Sequence, residues 1–234
     1  MYWRSVSRTP RGNQGDPQGK AMTPNLRKLV SIGSSAIGDE RADPMLLAGL
    51  LGVPDANALA PLLAGRDGFY AFEGALHIRS LQGNALEPGI VQWNSAALWR
   101  QHYGDLAAGC LFFAEDIFGN QFCLRGGSVL TFDAETGALE AFATDMESWA
   151  ATVLNDYALW TGHGLAHEWQ EINGPLQAGL RLVPKLPFVL GGEYVVNNLY
   201  AMNAVESMRY RADIALQIHD APDGTTVMLK AAVG

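Results

Sequence analysis

The segment from Cys110 to Tyr157 constrains the fold more than any other part of this chain. Short apolar runs of strand length alternate in it with turns rich in glycine, asparagine and aspartate, a pattern typical of consecutive antiparallel strands. The end of the segment changes to apolar residues at the three-and-four spacing of one helix face. We therefore predict a β-meander followed by a helix that packs on it.

Turn and capping residues set the limits of these elements. The predicted strands are Leu111 to Ala114, Gln121 to Leu124, Ser128 to Phe132 and Ala138 to Ala143. Gly137 stands in the last hairpin loop, where a positive φ is needed that glycine adopts without cost. Thr144 and Glu147 match a capping box for the following helix. The predicted buried face of that helix consists of Met146, Trp149, Ala150, Val153, Leu154 and Tyr157.

The flanking segments contribute further short elements. Before the meander, the pattern predicts helices at 24–32, 44–51 and 56–63, strands at 68–72 and 75–78, and a tryptophan-bearing helix at 92–103. Residues 161 to 192 are rich in glycine and proline and predict an ordered loop with short strands at most. Asn203 and Glu206 then signal a helix that runs to about Ile218, and a final strand is predicted at 225–229.

The first residues differ in charge from the rest of the chain. The 234 residues carry a formal net charge of −8 at pH 7. Residues 1 to 20 contain four bases and one acid, so the remainder carries −11. We expect residues 1 to 21 to form a disordered basic leader. The negative charge of the remainder argues against binding nucleic acid, whose phosphates would be repelled.

Apolar runs and cysteines bear on the compartment of the protein. No apolar run reaches the roughly 20 residues needed to cross a bilayer, and the first residues do not resemble a secretory signal. We therefore expect a cytoplasmic protein that does not bind membranes. Cys110 and Cys123 lie in or beside apolar runs and are expected to be buried, reduced thiols, with a disulfide across neighbouring strands as the alternative.

Acidic residues are concentrated in the same segment as the meander. Between residues 105 and 156 there are nine carboxylates and a single base, Arg125. Acidic residues at turns and on outer helix faces are in many cases only solvated. At this density, however, they would create a negative potential that speeds association with a positively charged partner. The residues that we expect to bind such a partner are Glu115, Asp116, Asp133, Glu135 and Glu140.

Residues suited to catalysis are scarce. His163, His167 and Glu168 could bring two imidazoles and a carboxylate to one metal ion, but their spacing is not that of HExxH. Locally hydrogen-bonded or solvent-facing histidines are the simpler interpretation. Glu115 and Asp116 are adjacent at a strand end and would point to opposite faces, which disfavours a shared-proton pair. We therefore predict no catalytic residue, no metal and no cofactor.

Three short motifs follow one another along the chain. They are an aromatic glycine turn at Asp67-Gly68-Phe69, the turn Ile117-Phe118-Gly119-Asn120 between two strands, and Glu147-Ser148-Trp149 in the predicted helix. In their order and spacing, the chain resembles the SUKH superfamily, the Smi/Knr-like proteins. In these proteins an FGN- or FGD-type turn joins two strands and an EEW-like helix closes the sheet. The resemblance covers residues 44 to 160.

This resemblance implies both a fold and a function. The fold is α+β, with a mostly antiparallel sheet and packed helices over residues 22–160, and residues 161–234 form a helix-and-strand extension packed on the same domain. The function is that of a bacterial immunity protein, which binds and blocks a cognate toxin delivered by contact or by secretion, such as type VI secretion. The family supplies no catalytic residues, and its toxin-binding surface varies between members.

Two alternatives to an immunity protein stay open at this point. One is a regulatory adaptor of the same fold that binds a cellular protein, and the other is a metal-dependent enzyme that uses His163, His167 and Glu168. The acidic binding residues named above rest on charge alone, because the resemblance does not locate the contact surface. The expected partner is therefore a toxin or effector protein with a basic surface.

Overall fold

A six-stranded antiparallel sheet forms the centre of the protein. The structure is a computed structural model that describes residues 22–38, 44–51, 53–219, 221–222, 224 and 226–228. Over these residues the protein is α+β, with a second, two-stranded sheet and packed helices, which confirms the predicted fold class. Every helix in this part of the chain is too short or too polar to span a membrane. The predicted leader, residues 1–21, lies outside the described residues.

The strands of the large sheet follow one another in chain order, and each is antiparallel to the next. They are β1 (Phe69–Ala71), β2 (Leu76–Ile78), β3 (Leu111–Glu115), β4 (Gln121–Arg125), β5 (Ser128–Phe132) and β6 (Leu139–Ala143). The last four strands confirm the predicted meander to within one residue at each end. Gly137 adopts a φ of 71° in the turn between β5 and β6, as its position predicts.

Nine helices and a small sheet complete the described part of the chain. The helices are α1 (Pro24–Ile32), α2 (Pro44–Leu51), α3 (Val53–Gly65), α4 (Ile90–Trp93), α5 (Gln101–Tyr103), α6 (Met146–Asn155), α7 (Tyr157–Thr161), α8 (His163–Asn173) and α9 (Ala204–Ile218). The small sheet pairs β7 (Leu180–Pro184) with β8 (Leu199–Asn203).

One face of the large sheet is covered by α1, α3 and α6. Trp149 of α6 is fully buried there and packs edge-on against Phe113 and Phe122, at centroid distances of 5.1 and 5.7 Å. The predicted packing of this helix on the meander is therefore confirmed. Tyr157 was wrongly assigned to the same buried face, because the helix ends at Asn155 and Tyr157 begins α7 as an exposed residue.

The capping box of α6 uses different residues from those predicted. Asp145 is the N-cap: its side chain accepts a hydrogen bond from the Ser148 amide, and the Ser148 hydroxyl lies 3.2 Å from the Asp145 amide. Glu147 turns away to another helix, where it accepts hydrogen bonds from the amides of Asn25 and Leu26. These amides belong to the first turn of α1, which has no partners for them within the helix. Glu147 therefore caps α1 from a distance in the chain.

The opposite face of the sheet carries an aromatic cluster. Trp99 lies 5.0 Å from Phe112 and 5.5 Å from Tyr103 between ring centroids, and α9 covers the same core. The single helix predicted at 92–103 is instead α4, a π-helical segment (Ala96–Arg100) and α5. The Asn94 side chain interrupts the helix, since it exchanges hydrogen bonds with the backbone N–H and C=O of Phe112.

The loop predicted for residues 161–192 is wrong in its first third, where the chain forms α8. Gly162 has a φ of 69° and ends α7 in the left-handed conformation, so that α8 can start immediately after it. Ala166 of α8 is fully buried and packs in one core cluster with Phe118 and Leu182. This tertiary contact favours a helix that the flanking glycines alone disfavour.

Three further predictions concern the cysteines and the end of the chain. Cys110 and Cys123 are free and buried, as expected. The side chain of Asn203 accepts hydrogen bonds from the amides of Val205 and Glu206, which confirms the predicted start of α9. Of the predicted strand at 225–229, residues 226–228 have no regular structure, and the two end positions lie outside the described residues.

Candidate functional site

Glu115, at the end of β3, lies in the interior and is 1 % exposed. Its carboxylate is 2.7 Å from Arg79 Nη2, 2.8 Å from Arg181 Nε and 3.0 Å from His77 Nδ1. Gln121 donates a further hydrogen bond to it at 3.0 Å. Burial opposes the ionisation of Glu115, but the two guanidinium charges outweigh it and hold the pKa well below its usual range. Glu115 is therefore a buried anion that a partner protein cannot reach.

The groups around Glu115 form a buried ion cluster that joins distant parts of the chain. His77 lies on β2, and its Nε2 is 3.0 Å from Glu87 in the loop that follows. Arg79 lies over the ring of Trp93, with 3.3 Å from its guanidinium carbon to the ring centroid. Arg181 belongs to β7 in the small sheet. The buried ion cluster thus ties the small sheet to the large one, which is a structural role.

Asp116 is buried beside the cluster but closes a turn instead. Its two carboxylate oxygens accept hydrogen bonds from the amide of Asn120 at 2.8 Å and from the Asn120 side chain at 2.9 Å. The Asn120 side-chain oxygen in turn accepts from the amide of Ala134 at 3.1 Å. Burial raises the pKa of Asp116 to about 7, although the hydrogen bonds from Asn120 oppose the change. The FGN-type turn therefore positions Asp116 next to the turn between β5 and β6.

A groove of about 480 Å³ opens at this end of the sheet, and we call it the acidic groove. Its carboxylates are Asp116, Asp133 and Glu140, of which the last two are exposed. The other residues that line it are Asn120, Gln121, Phe122, Thr131, Phe132, Thr136, Ala138, Leu159 and Trp160. The acidic groove thus combines aromatic and aliphatic side chains with carboxylates that water can reach.

The turn between β5 and β6 contains two acidic residues in different surroundings, since Asp133 is exposed to solvent and Glu135 is buried. Asp133 accepts hydrogen bonds from the amides of Glu135 and Thr136, at 2.8 and 2.9 Å, which is the geometry of an Asx turn. The side chain of Glu135 points inward and is 5 % exposed. Its Oε2 accepts a hydrogen bond from the amide of Val189 at 2.9 Å, whereas its Oε1 has no hydrogen-bond partner among the described residues. The burial of its side chain raises the pKa of Glu135 above its usual value.

Glu135 lines a second, smaller hollow of about 230 Å³, which we call the aromatic cavity. The rings of Phe188 and Tyr194 stack with centroids 3.8 Å apart, and Phe118 meets them edge-on at 5.4 and 6.1 Å. The remaining residues that line the aromatic cavity are Asn120, Asp133, Thr136, Val189 and Arg211. Because Asp133, Asn120 and Thr136 line both hollows, the aromatic cavity and the acidic groove adjoin.

The structure therefore divides the five acidic residues predicted to bind a partner. Four of them, Asp116, Asp133, Glu135 and Glu140, line the two adjoining hollows. Glu115 does not, and the physical reason is that Arg79 and Arg181 hold it in the interior. Only Asp133 and Glu140 are exposed enough to act on a partner at long range. Asp116 and Glu135 could contact a partner only through a group that enters a hollow.

The histidines considered as metal ligands are paired with another residue. Glu73 lies 2.8 Å from His167 and 3.7 Å from His163, and it raises the pKa of the exposed His167 through its hydrogen bond and charge. Glu168 is exposed on α8. Within the described residues, no group of three or more His, Cys, Asp or Glu side chains is arranged to hold a metal ion.

Several residues of the aromatic cavity were missed in the sequence. Phe188 and Tyr194 lie in the segment LPFVLGGEY, where Pro187 and the pair Gly191-Gly192 flank the aromatic residues. A tight loop that displays aromatic side chains was the available signal. No sequence signal pointed to Arg211, because this residue lies in a helix with mixed polar and apolar residues.

Comparisons with known proteins bear on the fold and not on the function. No protein-family model matches the chain, and no curated protein matches it. A solved structure of Atu4351 from Agrobacterium tumefaciens is similar, with a TM-score of 0.50 and 12 % sequence identity. The similarity covers 78 % of this chain and 86 % of that one. At this level of identity it shows a shared fold alone.

Proposed function

We propose that this protein is an immunity protein that binds a cognate bacterial toxin or effector domain and neutralises it. The observation that carries the proposal is the pair of adjoining hollows at the turn between β5 and β6, which combine carboxylates with aromatic side chains. The SUKH-like order of motifs supports the same function, because its FGN-type turn builds one wall of both hollows. The toxin would present a basic surface to them.

The composition of this region suits recognition of a protein. Tyr194 is 64 % exposed and Leu159 is 66 % exposed, so large apolar groups stand at the mouths of hollows that carry acidic groups. Interfaces gain most of their affinity from a few aromatic and apolar side chains, while exposed charges around them speed association and select the partner. Asp133 and Glu140 would have this second role.

Co-expression tests the proposal directly. The gene next to the one for this protein should encode a toxin, and expressing both together should restore growth and yield a stable one-to-one complex. A complex without growth rescue would favour an adaptor that binds a cellular protein. If neither the neighbouring products nor secreted effectors of the same cell bind the protein, the proposal is wrong.

Charge variants test whether the acidic groove is the contact. Asp133→Asn combined with Glu140→Gln should lower the association rate with the toxin at low salt, and added salt should reduce the difference. Glu206→Gln is a matched control. Glu206 is exposed on α9 and lines neither of the two hollows. Equal rates for the double variant and the control would exclude the acidic groove as a contact.

A further inference from the structure

We propose that the aromatic cavity binds an arginine side chain of the partner protein, with Glu135 and Asp133 as its anionic partners. This inference rests on the proposed function for the identity of the partner. It goes further, because it names the chemical group that is recognised and the residues that recognise it.

Glu135 is a buried carboxylate with unused hydrogen-bonding capacity. Only 5 % of the residue is exposed, and within the described part of the chain one of its two carboxylate oxygens has no hydrogen-bond partner. Burying an anion without full compensation is costly, so an oxygen left without a partner requires an explanation, and a ligand that supplies the missing donor is one. Oε1 itself has almost no accessible surface, so the Glu135 side chain must turn toward the aromatic cavity to meet a donor there, and a positively charged donor would compensate it most strongly.

The walls of the aromatic cavity are suited to a flat cation. Tyr194 stacks on Phe188 at 3.8 Å, and Phe118 closes the side of the stack. The facing sides of the Tyr194 and Phe188 rings are occupied by each other, so a ligand has the outer face of the exposed Tyr194 ring. Such a face attracts cations through its quadrupole, and a guanidinium group can also stack on it because it is planar and weakly hydrated. Asp133, which lines the aromatic cavity and is exposed to solvent, would attract the same group before it enters. These features favour arginine over lysine.

Arg211 lines the same cavity but does not compensate Glu135. Its donors go to the carbonyl oxygen of Phe118 at 2.5 Å and to the backbone and side-chain oxygens of Ser207 at 3.2 and 3.1 Å. It lowers the pKa of Glu135 only through its field, and burial still raises that pKa overall. The charge of Arg211 is thus used to hold the FGN-type turn against α9.

A titration with small probes tests the aromatic cavity without the toxin. N-acetyl-arginine amide is added to the full-length protein while amide and aromatic NMR signals are recorded. N-acetyl-citrulline amide is the control, because it has the same shape without the charge. We expect saturable shifts at Phe118, Glu135, Phe188 and Tyr194 with arginine, at millimolar affinity, and none with citrulline. Absence of saturable shifts, or equal shifts with both probes, would overturn the proposal.

Variants then assign the binding to named residues. Glu135→Gln should weaken arginine binding by about tenfold, the size of one charge-assisted contact. Tyr194→Ala should weaken it by about two- to fivefold, and this exposed side chain can be shortened without opening the core. Glu168→Gln, exposed on α8 and outside both hollows, is the matched control and should leave the affinity within about twofold. Tyr194→Ala keeps the test decisive if Glu135→Gln does not fold.

The complex with the toxin provides the last measurement. Glu135→Gln should increase the dissociation rate of the complex, because the lost contact is a buried one. Arginine binding by the free protein together with an unchanged dissociation rate would refute the role assigned to the cavity in the complex. If no toxin binds at all, the proposed function fails, whereas the probe titration still decides whether the cavity recognises a guanidinium group.

Discussion

Replacing Glu115 by glutamine should destabilise the protein more than any other single loss of an acidic charge in the described residues. The carboxylate is 1 % exposed and lies within 3.0 Å of two arginines and a histidine. Removing one member of a buried ion pair costs about 3 to 5 kcal/mol, because the charges left behind stay desolvated. Glutamine keeps the shape and can still accept the hydrogen bond from Gln121, so we expect about 3 kcal/mol.

Urea unfolding followed by circular dichroism measures this change in the free energy of unfolding. A loss of about 3 kcal/mol corresponds to a decrease in Tm of about 6 to 12 °C for a chain of this size. Glu140→Gln, exposed on β6 of the same sheet, is the control and should change stability by no more than about 0.5 kcal/mol. If Glu115→Gln costs less than about 1 kcal/mol, the arginines do not depend on Glu115 and the reasoning is refuted.

The pH dependence gives a second check on the same residue. The folded-state pKa of Glu115 is well below its unfolded value, which is about 4.3. Its contribution is therefore fully present above pH 4.3 and is lost as the pH falls through the lower folded-state value. The wild type should lose stability below about pH 4.3 more steeply than Glu115→Gln. Parallel curves for the two proteins would contradict the assignment.

Three further predictions follow from single contacts. Asp116 has a folded-state pKa of about 7 against about 3.9 when unfolded, so its folded form holds the proton longer and stability falls as the pH rises through this window. Urea unfolding should therefore show that the free energy of unfolding of Asp116→Asn rises relative to that of the wild type as the pH increases from about 5 to about 7. A difference between the two proteins that does not change with pH would exclude the raised pKa of Asp116. Glu147→Ala removes the cap of α1 and should lower the free energy of unfolding by about 1 to 2 kcal/mol. The amides of Asn25 and Leu26 should then exchange hydrogen faster, whereas unchanged exchange would show that the cap is dispensable. Gly137→Ala places a Cβ atom on a residue with a φ of 71° and only 2.6 Å from Leu106. The variant should lose about 1 to 2 kcal/mol of stability in thermal unfolding, and an unchanged stability would show that the position is not strained.

The sequence determined the parts of this protein whose cause is local. Alternating apolar residues and turn glycines defined the strands of the meander, because side chains on a strand alternate between its two faces. Asn203 marked the start of α9 through a hydrogen bond that spans only two or three residues. The same local pattern identified the acidic residues near the turn between β5 and β6, although it could not say which of them face the solvent.

Tertiary structure decided the features that depend on residues far apart in the chain. The sequence indicated that Glu115 lies on the surface. In the structure it lies in the core, where it pairs with Arg79 and with Arg181, which is 66 residues away in the chain. Glu147 matched a local cap, but it caps a helix 122 residues earlier in the sequence. The aromatic cavity likewise brings Glu135 beside Phe188 and Tyr194, from a loop of the other sheet. Charge and periodicity are read along the chain, whereas burial and pairing depend on which segments the fold brings into contact.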